Sequence, residues 1–223
     1  MKGTLRARVA VGVAASGYAL VVTACGVGAP GGTTSQASTS PASAAATAAP
    51  EVAIPASDRP FGAGCSAVPA TGAGSFSDMA QDPVVLAASR NPALASFVIA
   101  VQTASLGDSL NTLQGITVLA PVDTAFRAVP ALQLHRLMAD TAALTQVLTH
   151  HVIQGRLTPA QLVGTHTTLD NDTVTITASR AGFSVAAGQT LAGAKPASVI
   201  CGNVQTANAT VYLIDQVLKP PPS

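Results

Sequence analysis

A low-complexity segment near the N-terminus restricts folding to the residues that follow it. Residues 26 to about 60 consist mainly of Ser, Thr, Ala, Pro and Gly, and large apolar side chains are almost absent. A segment of this composition buries too little apolar surface to offset the entropy lost on ordering. We therefore expect residues 25–64 to form a disordered tether and residues 65–223 to form one folded domain, which is an ordinary length for a single core.

The first 25 residues have the pattern of a bacterial lipoprotein signal. Three basic residues precede a largely apolar stretch, Val9 to Val22, and two small residues and Cys25 follow it. Small residues before a cysteine suit a signal peptidase that cleaves next to the lipid-modified residue. We expect residues 1–24 to be removed and Cys25 to carry the acyl chains, palmitate among them.

A membrane-spanning helix and an ordinary cleaved signal are the alternatives for this segment. The apolar stretch is shorter than the roughly 20 residues that cross a bilayer core, which disfavours the helix. Two or more acyl chains hold a protein stably at a membrane, whereas a single chain binds only transiently. The expected location is the extracytoplasmic face of the cell membrane, with secretion of an unlipidated fraction left open.

Two cysteines remain once Cys25 carries lipid. Cys65 lies at the start of the expected domain and Cys201 near its end. In an oxidising compartment they are expected to pair, and the bond would stabilise the fold by roughly 4 to 5 kcal/mol in the chain-entropy treatment. Two free thiols or a metal-binding pair are the alternatives, but no His or Cys at a suitable spacing supports a metal.

The charge and aromatic content exclude several classes of partner. Without the signal, eight basic residues face ten acidic ones, and the chain contains no Trp and few other aromatic residues. A slightly acidic chain does not attract nucleic acid, and a shortage of aromatic side chains disfavours stacking surfaces for bases or sugars. We expect membrane contact through the lipid anchor and no nucleic-acid partner, and the sequence leaves the oligomeric state open.

The first half of the domain has the features of helices. Asp82 and Asn91 each precede a proline, which predicts two helices that begin with a capping side chain. The apolar run 116–120 predicts a strand, and Asp123 is expected to cap the helix that follows it. Apolar residues then recur at helical spacing over 144–152, which predicts a helix that Gly155 ends.

The second half has the features of strands. Apolar side chains alternate with threonine over 174–178, and Phe183 and Val185 follow a glycine, which predicts a hairpin. The runs 199–204 and 211–218 predict two more strands, the second of them buried on both faces. Helices followed by strands indicate an α+β fold.

Three ordered motifs resemble one known family. Residues 117–126, TVLAPVDTAF, resemble the first signature block of the fasciclin domain, and residues 208–218, NATVYLIDQVL, resemble the second. Between them His151 and Val152 match a Tyr-His-Val element. The resemblance covers roughly 76–219, and the whole mature chain is similar to the mycobacterial surface lipoprotein and secreted antigen branch. Val122 and His150 stand where the family pattern has Thr and Tyr.

The resemblance implies a fold and a role. The fold is a small wedge of two β-sheets with packed helices, in which Asp123, Phe126 and Asn208 are structural residues. The role is a cell-surface adhesion or protein-binding module whose partner is an extracellular or host-surface protein. The alternative is an envelope protein that binds a lipid or small apolar ligand in a pocket of the domain.

No motif in the sequence points to enzymatic chemistry. The chain has no Gly-x-Ser-x-Gly, His-Glu-x-x-His or phosphate-loop pattern, so we expect no catalytic residue, no metal and no cofactor. His151 could act as an acid or base, but its position on an apolar stripe favours a hydrogen-bonded core histidine. Adjacent helical residues point about 100 degrees apart, so His150 and His151 form a poor metal clamp.

Overall fold

The computed structural model describes residues 59–221. Cys25, the signal and nearly all of the expected tether lie outside these residues. The described helices are α1 (Phe76–Met79), α2 (Val84–Ser89), α3 (Ala95–Thr103), α4 (Gly107–Thr112), α5 (Asp123–Ala128), α6 (Ala131–Ala139) and α7 (Thr141–His150). The described strands are β1 (Ile116–Pro121), β2 (Val152–Gln154), β3 (Gly164–Thr167), β4 (Thr173–Ser179), β5 (Gly182–Val185), β6 (Ala197–Gln205) and β7 (Ala209–Ile214).

The seven strands pair in the order β2-β1-β7-β6-β5-β4-β3. β1 and β7 are parallel, and every other neighbouring pair is antiparallel. β6 pairs with β5 at its start and with β7 along the rest of its length, so it belongs to two sheets. The register between β6 and β7 shifts twice. The predicted α+β fold of two sheets with packed helices is confirmed.

β7 is buried along its whole length because apolar layers cover both of its faces. Val211 and Leu213 belong to the core shared with the helices, whereas Tyr212 and Ile214 belong to a second core between the sheets. A strand covered on both faces needs a continuous apolar run, which is the pattern that the sequence shows here. Burial raises the pKa of the Tyr212 phenol, whose hydroxyl donates a 2.9 Å hydrogen bond to the carbonyl of Leu157.

The first predicted helix begins differently from the expectation. Pro83 occupies the N-cap of α2, and no side chain of α2 caps it locally. Instead the Val84 amide donates a 2.8 Å hydrogen bond to Oδ1 of Asn208, far away in the sequence. The prediction that Asp82 caps this helix is therefore wrong. The prediction for Asn91 is confirmed, because its side chain accepts a hydrogen bond from the Ala93 amide.

The helix predicted over 144–152 ends earlier than expected. α7 stops at His150, and Val152 already begins β2, which pairs with β1 through Val118. Helical spacing continues through these residues in the sequence, but the free edge of β1 offers backbone hydrogen bonds that a longer helix would forgo. Tertiary pairing therefore decides this boundary.

The residues just before Cys65 contact the sheet. Phe61 exchanges backbone hydrogen bonds with Gly202 of β6, and its ring packs 5.6 Å from the Phe183 ring and 6.5 Å from the Tyr212 ring. Phe61 therefore packs on the sheet although it lies four residues before Cys65. One aromatic ring on the sheet supplies the apolar burial that the surrounding small residues lack.

Candidate functional site

An apolar cleft lies where the parallel strands β1 and β7 end. Its volume is about 270 Å³. The lining residues are Gly64, Ala67, Ala93, Val122, Asp123, Thr124, Arg127, Ile200 and Leu213. Most of them are small or aliphatic, so the cleft offers an apolar surface with a polar rim, which is the general character of a small-molecule site.

The segment 61–68 forms one wall of the cleft and is held to the sheet in two ways. The predicted disulfide is present and joins Cys65 to Cys201 of β6. Close packing holds the same segment, because a Cβ on Gly62 would lie only 2.3 Å from the carbonyl oxygen of Ile200. Gly62 also has a φ of 110°, which disfavours any side chain there. The disulfide and the glycine together therefore hold this wall of the cleft against the sheet.

Asp123 lies on the rim of the cleft but does not cap its own helix. Val122 occupies the N-cap of α5 without a side-chain hydrogen bond. Oδ1 of Asp123 instead accepts a 2.8 Å hydrogen bond from the Ser96 amide in the first turn of α3. The predicted cap is wrong for α5, and the carboxylate stabilises a neighbouring helix start. The carboxylate of Asp123 thus fixes α3 against the end of β1.

Arg127 is the charged group of the rim that sequence reasoning missed. It is exposed on α5, and no described residue forms a hydrogen bond or ion pair with it. The sequence held one indication of its position: Arg127 lies four residues after Asp123, and side chains at that spacing lie on one helix face. Its guanidinium is thus available to an acidic group at the mouth of the cleft.

His151 lies in the core and uses both ring nitrogens. It is 0% exposed; its Nδ1–H donates a 2.7 Å hydrogen bond to the Val147 carbonyl, and its Nε2 accepts a 2.9 Å hydrogen bond from the Leu218 amide. Burial lowers the pKa of His151 to about 4. The ring is neutral at physiological pH and has no nitrogen left for a ligand. It joins the end of α7 to the segment after β7.

His150, which precedes His151 in the chain, is also buried. Its Nδ1 lies 2.7 Å from both carboxylate oxygens of Asp172, in the connection between β3 and β4. The two imidazoles meet edge to face at 6.4 Å between ring centres and have different partners. Among residues 59–221, no group of three or more His, Cys, Asp or Glu side chains is arranged to hold a metal ion.

Asn208 organises the helical side of the domain. It is 2% exposed, and its Nδ2 donates hydrogen bonds of 2.8 Å to the Leu110 carbonyl and 2.7 Å to the Leu113 carbonyl. Its Oδ1 accepts the bond from Val84 described above. One side chain thus fixes the start of α2 and the end of α4 against β7. Phe126, the other signature residue, packs in the core under the helices at 6% exposure.

Comparison with known proteins assigns the family. The family model described as "Fasciclin domain" matches residues 92–220. The chain belongs to the fasciclin domain family. The match contains both signature blocks, and it begins at α3 and its preceding turn, so α1, α2 and the disulfide-bound segment 61–68 precede it. The cleft therefore lies between the fasciclin domain proper and a segment at its N-terminal side.

Mycobacterial surface antigens are among the relatives of this fasciclin chain. It is 41% identical over 197 residues to the cell surface glycolipoprotein MPB83 of Mycobacterium bovis, covering 85% of this chain and 84% of that protein. It is 42% identical over 168 residues to the immunogenic protein MPB70 of the same species, covering 72% of this chain and 82% of that protein. The chain is thus a fasciclin module related to a cell-surface glycolipoprotein.

More distant similarities reach beyond mycobacteria. Protein sll1483 of Synechocystis is 32% identical over 141 residues, covering 62% of this chain and 73% of that protein. A solved structure of a FAS1 domain pair from the insect cell adhesion molecule Fasciclin I aligns at 23% identity with a TM-score of 0.45, covering 59% of this chain and 46% of that chain.

The predicted lipid anchor falls outside the described residues. Cys25 and the signal precede residue 59, so the anchoring prediction stays a prediction. Within residues 59–221, no helix combines the length and apolarity needed to cross a membrane.

Proposed function

We propose that this protein is a lipid-anchored cell-surface module that binds another protein through its fasciclin domain and catalyses no reaction. The observation that supports this proposal is the similarity to the cell surface glycolipoprotein MPB83, which extends over 85% of the chain and so reaches beyond the fasciclin domain. A lipid at Cys25 would hold the domain at the extracytoplasmic face, and the tether would let it reach a partner.

Exposed aliphatic side chains on the helical layer supply a candidate binding surface. Leu86 on α2 is 43% exposed and Ile99 on α3 is 55% exposed. α2 packs against both α3 and α4, and Leu113, at the end of α4, is also exposed. Apolar side chains that neighbouring helices expose together are typical of protein-binding surfaces. We place the contact with an extracellular protein on this α2–α4 surface.

A binding screen with matched variants tests the proposal. The full chain, extracted in a mild neutral detergent, is screened against extracellular-matrix and host-cell surface proteins for saturable binding. For any partner found, L86S/I99S should weaken binding by about tenfold or more, because buried anchor residues carry most of the energy of an interface. L132S changes an exposed leucine on α6 and is the control. Absence of a saturable partner would contradict the proposal. Equal binding by L86S/I99S and L132S would show that the partner does not bind the α2–α4 surface.

The apolar cleft supports a second candidate, a small apolar ligand. Its walls are mainly aliphatic, its rim carries the unpaired guanidinium of Arg127, and the ligand that suits both has an apolar body with an acidic end. The test is native mass spectrometry of gently extracted protein. L86S/I99S changes residues outside the cleft and should keep the bound mass, whereas A93L should fill the cleft and remove it. A128L, on an exposed part of α5, is the control. A spectrum without any bound mass would contradict this candidate.

A further inference from the structure

We propose that a second, smaller cavity beside His150 binds a small oxyanion, such as a carboxylate or phosphate group. The cavity has a volume of about 160 Å³ and is separate from the apolar cleft. Its lining residues are His150, Gly188, Gln189, Lys219, Pro220 and Pro221. The volume accommodates a few non-hydrogen atoms and excludes a large ligand.

His150 lines this cavity and has one unused ring nitrogen. The side chain is 1% exposed, and its orientation is fixed because Nδ1–H donates to the Asp172 carboxylate. The Thr168 hydroxyl donates to the same carboxylate. Nε2 is buried and has no hydrogen-bond partner among the described residues. A buried polar atom without a partner costs about 1 to 3 kcal/mol, so such atoms ordinarily meet a ligand, an ion or water.

Gln189 also lines this cavity and has a second unused polar group. Its backbone is fixed, because its amide donates to the Ala186 carbonyl and its carbonyl accepts a 3.0 Å hydrogen bond from the Lys219 amide. Its side-chain Oε1 is buried without a partner in the described part of the chain. Rotation of the carboxamide by 180° exchanges its oxygen and its NH₂ group, so Gln189 can accept or donate at this position.

The charge of the lining favours an anion. Lys219 is the basic residue among the lining residues, and none of them carries a carboxylate. The carboxylate of Asp172 lies against the Nδ1 edge of the imidazole, where it contacts His150 and accepts a hydrogen bond from the Thr168 hydroxyl. The Lys219 ammonium and the side-chain NH₂ of Gln189 can donate to an oxyanion. His150 adds a third donor when Nε2 is protonated.

The imidazole of His150 can serve as a donor at this cavity. With both nitrogens protonated, Nδ1–H donates to Asp172 and Nε2–H is available to the ligand. The fasciclin pattern has Tyr at position 150, so the site belongs to this chain's own departure from the pattern.

Histidine-selective NMR tests the proposal on the full chain in neutral detergent micelles. The chain has four histidines, so ¹³C-labelled imidazoles give four resolvable signals. Sodium phosphate and sodium acetate are titrated separately at constant pH against chloride at equal ionic strength. We expect a saturable shift of the His150 signal with half-saturation at about 1 mM or below. Saturation by only one of the two salts identifies phosphate or carboxylate as the group that binds.

Two variants distinguish this site from general ion effects. K219M removes an exposed ammonium without disturbing the core and should weaken binding by about tenfold or more. H150Y restores the residue of the family pattern, removes Nε2 and should weaken binding, which is then read from the signal of the neighbouring His151. H135Q replaces an exposed histidine on α6 and should leave binding unchanged. Shifts that grow linearly with salt, that chloride reproduces, or that K219M does not weaken would overturn the proposal and leave a water-filled cavity.

Discussion

The backbone amide of Leu218 donates a 2.9 Å hydrogen bond to Nε2 of His151, and this contact makes the fold sensitive to acid. A second proton on the ring would place Nε2–H against the Leu218 N–H. The apolar surroundings, with Leu218 at 0% exposure, also oppose a charge. The family histidine therefore acts as a neutral link between α7 and the end of the sheet.

We predict that His151 makes stability fall below neutral pH. The pKa of its imidazole is about 4 in the folded chain and 6.5 in its unperturbed state, so the unfolded chain binds the proton first as the pH falls. The stabilisation is complete above pH 6.5 and is lost between pH 6.5 and pH 4, by roughly 3 kcal/mol. Urea unfolding at pH 7.5 and pH 4.5, followed by circular dichroism, measures this loss.

H151Q supplies the comparison for that experiment. The variant should be less stable than the wild type at pH 7.5, because it loses two buried hydrogen bonds, and the difference should shrink at pH 4.5. H166Q, at a partly exposed histidine on β3, is the matched control. A wild-type and H151Q pair that differ equally at both pH values would refute the titration. Normal melting with lost binding would instead assign His151 a functional role.

We predict that the disulfide stabilises the fold and the cleft together. Replacing Cys65 and Cys201 by alanine should lower the free energy of unfolding by up to about 4 to 5 kcal/mol, because the bond closes a loop of 136 residues. Thermal unfolding of this double variant and of the wild type, each with and without reductant, checks the effect. Reductant should destabilise the wild type alone. Equal melting temperatures for all four samples would contradict the prediction.

Asn208 should be the most sensitive polar residue of the second signature block. N208A removes the hydrogen bonds to the Val84 amide and to the Leu110 and Leu113 carbonyls in a buried site, and it should lower the free energy of unfolding by about 2 to 4 kcal/mol because these groups lose their partner. Chemical denaturation measures the loss. Q114A, at an exposed glutamine near the same end of α4, should change stability by less than about 0.5 kcal/mol. A tolerated N208A would show that water replaces the side chain.

The lipid anchor is tested by C25A. The variant should leave the membrane fraction, migrate differently on electrophoresis and lose the mass of its acyl chains. Phase separation in detergent followed by intact-mass analysis provides the readout. Unchanged partitioning and mobility would disprove lipidation at Cys25. C65A/C201A is the control, because it removes the other two thiols and should keep the anchor.

Local patterns determined much of this protein. The alternation over 174–178 and the continuous apolar run of β7 follow from which faces are buried, so both strands are legible in the sequence. The pairing of Cys65 with Cys201 followed from the count of cysteines and the expected compartment. The family was also legible, because its signature blocks are contiguous in the chain.

Tertiary structure alone decided which distant groups complete each local element. Asp123 caps α3 instead of α5, and the amide at the start of α2 binds Asn208, because partners distant in sequence but close in space satisfy backbone groups equally well. Phe61 became part of the fold because the sheet offered a place for its ring. The cavity beside His150 exists because separate segments converge there, and a sequence does not specify such convergence locally.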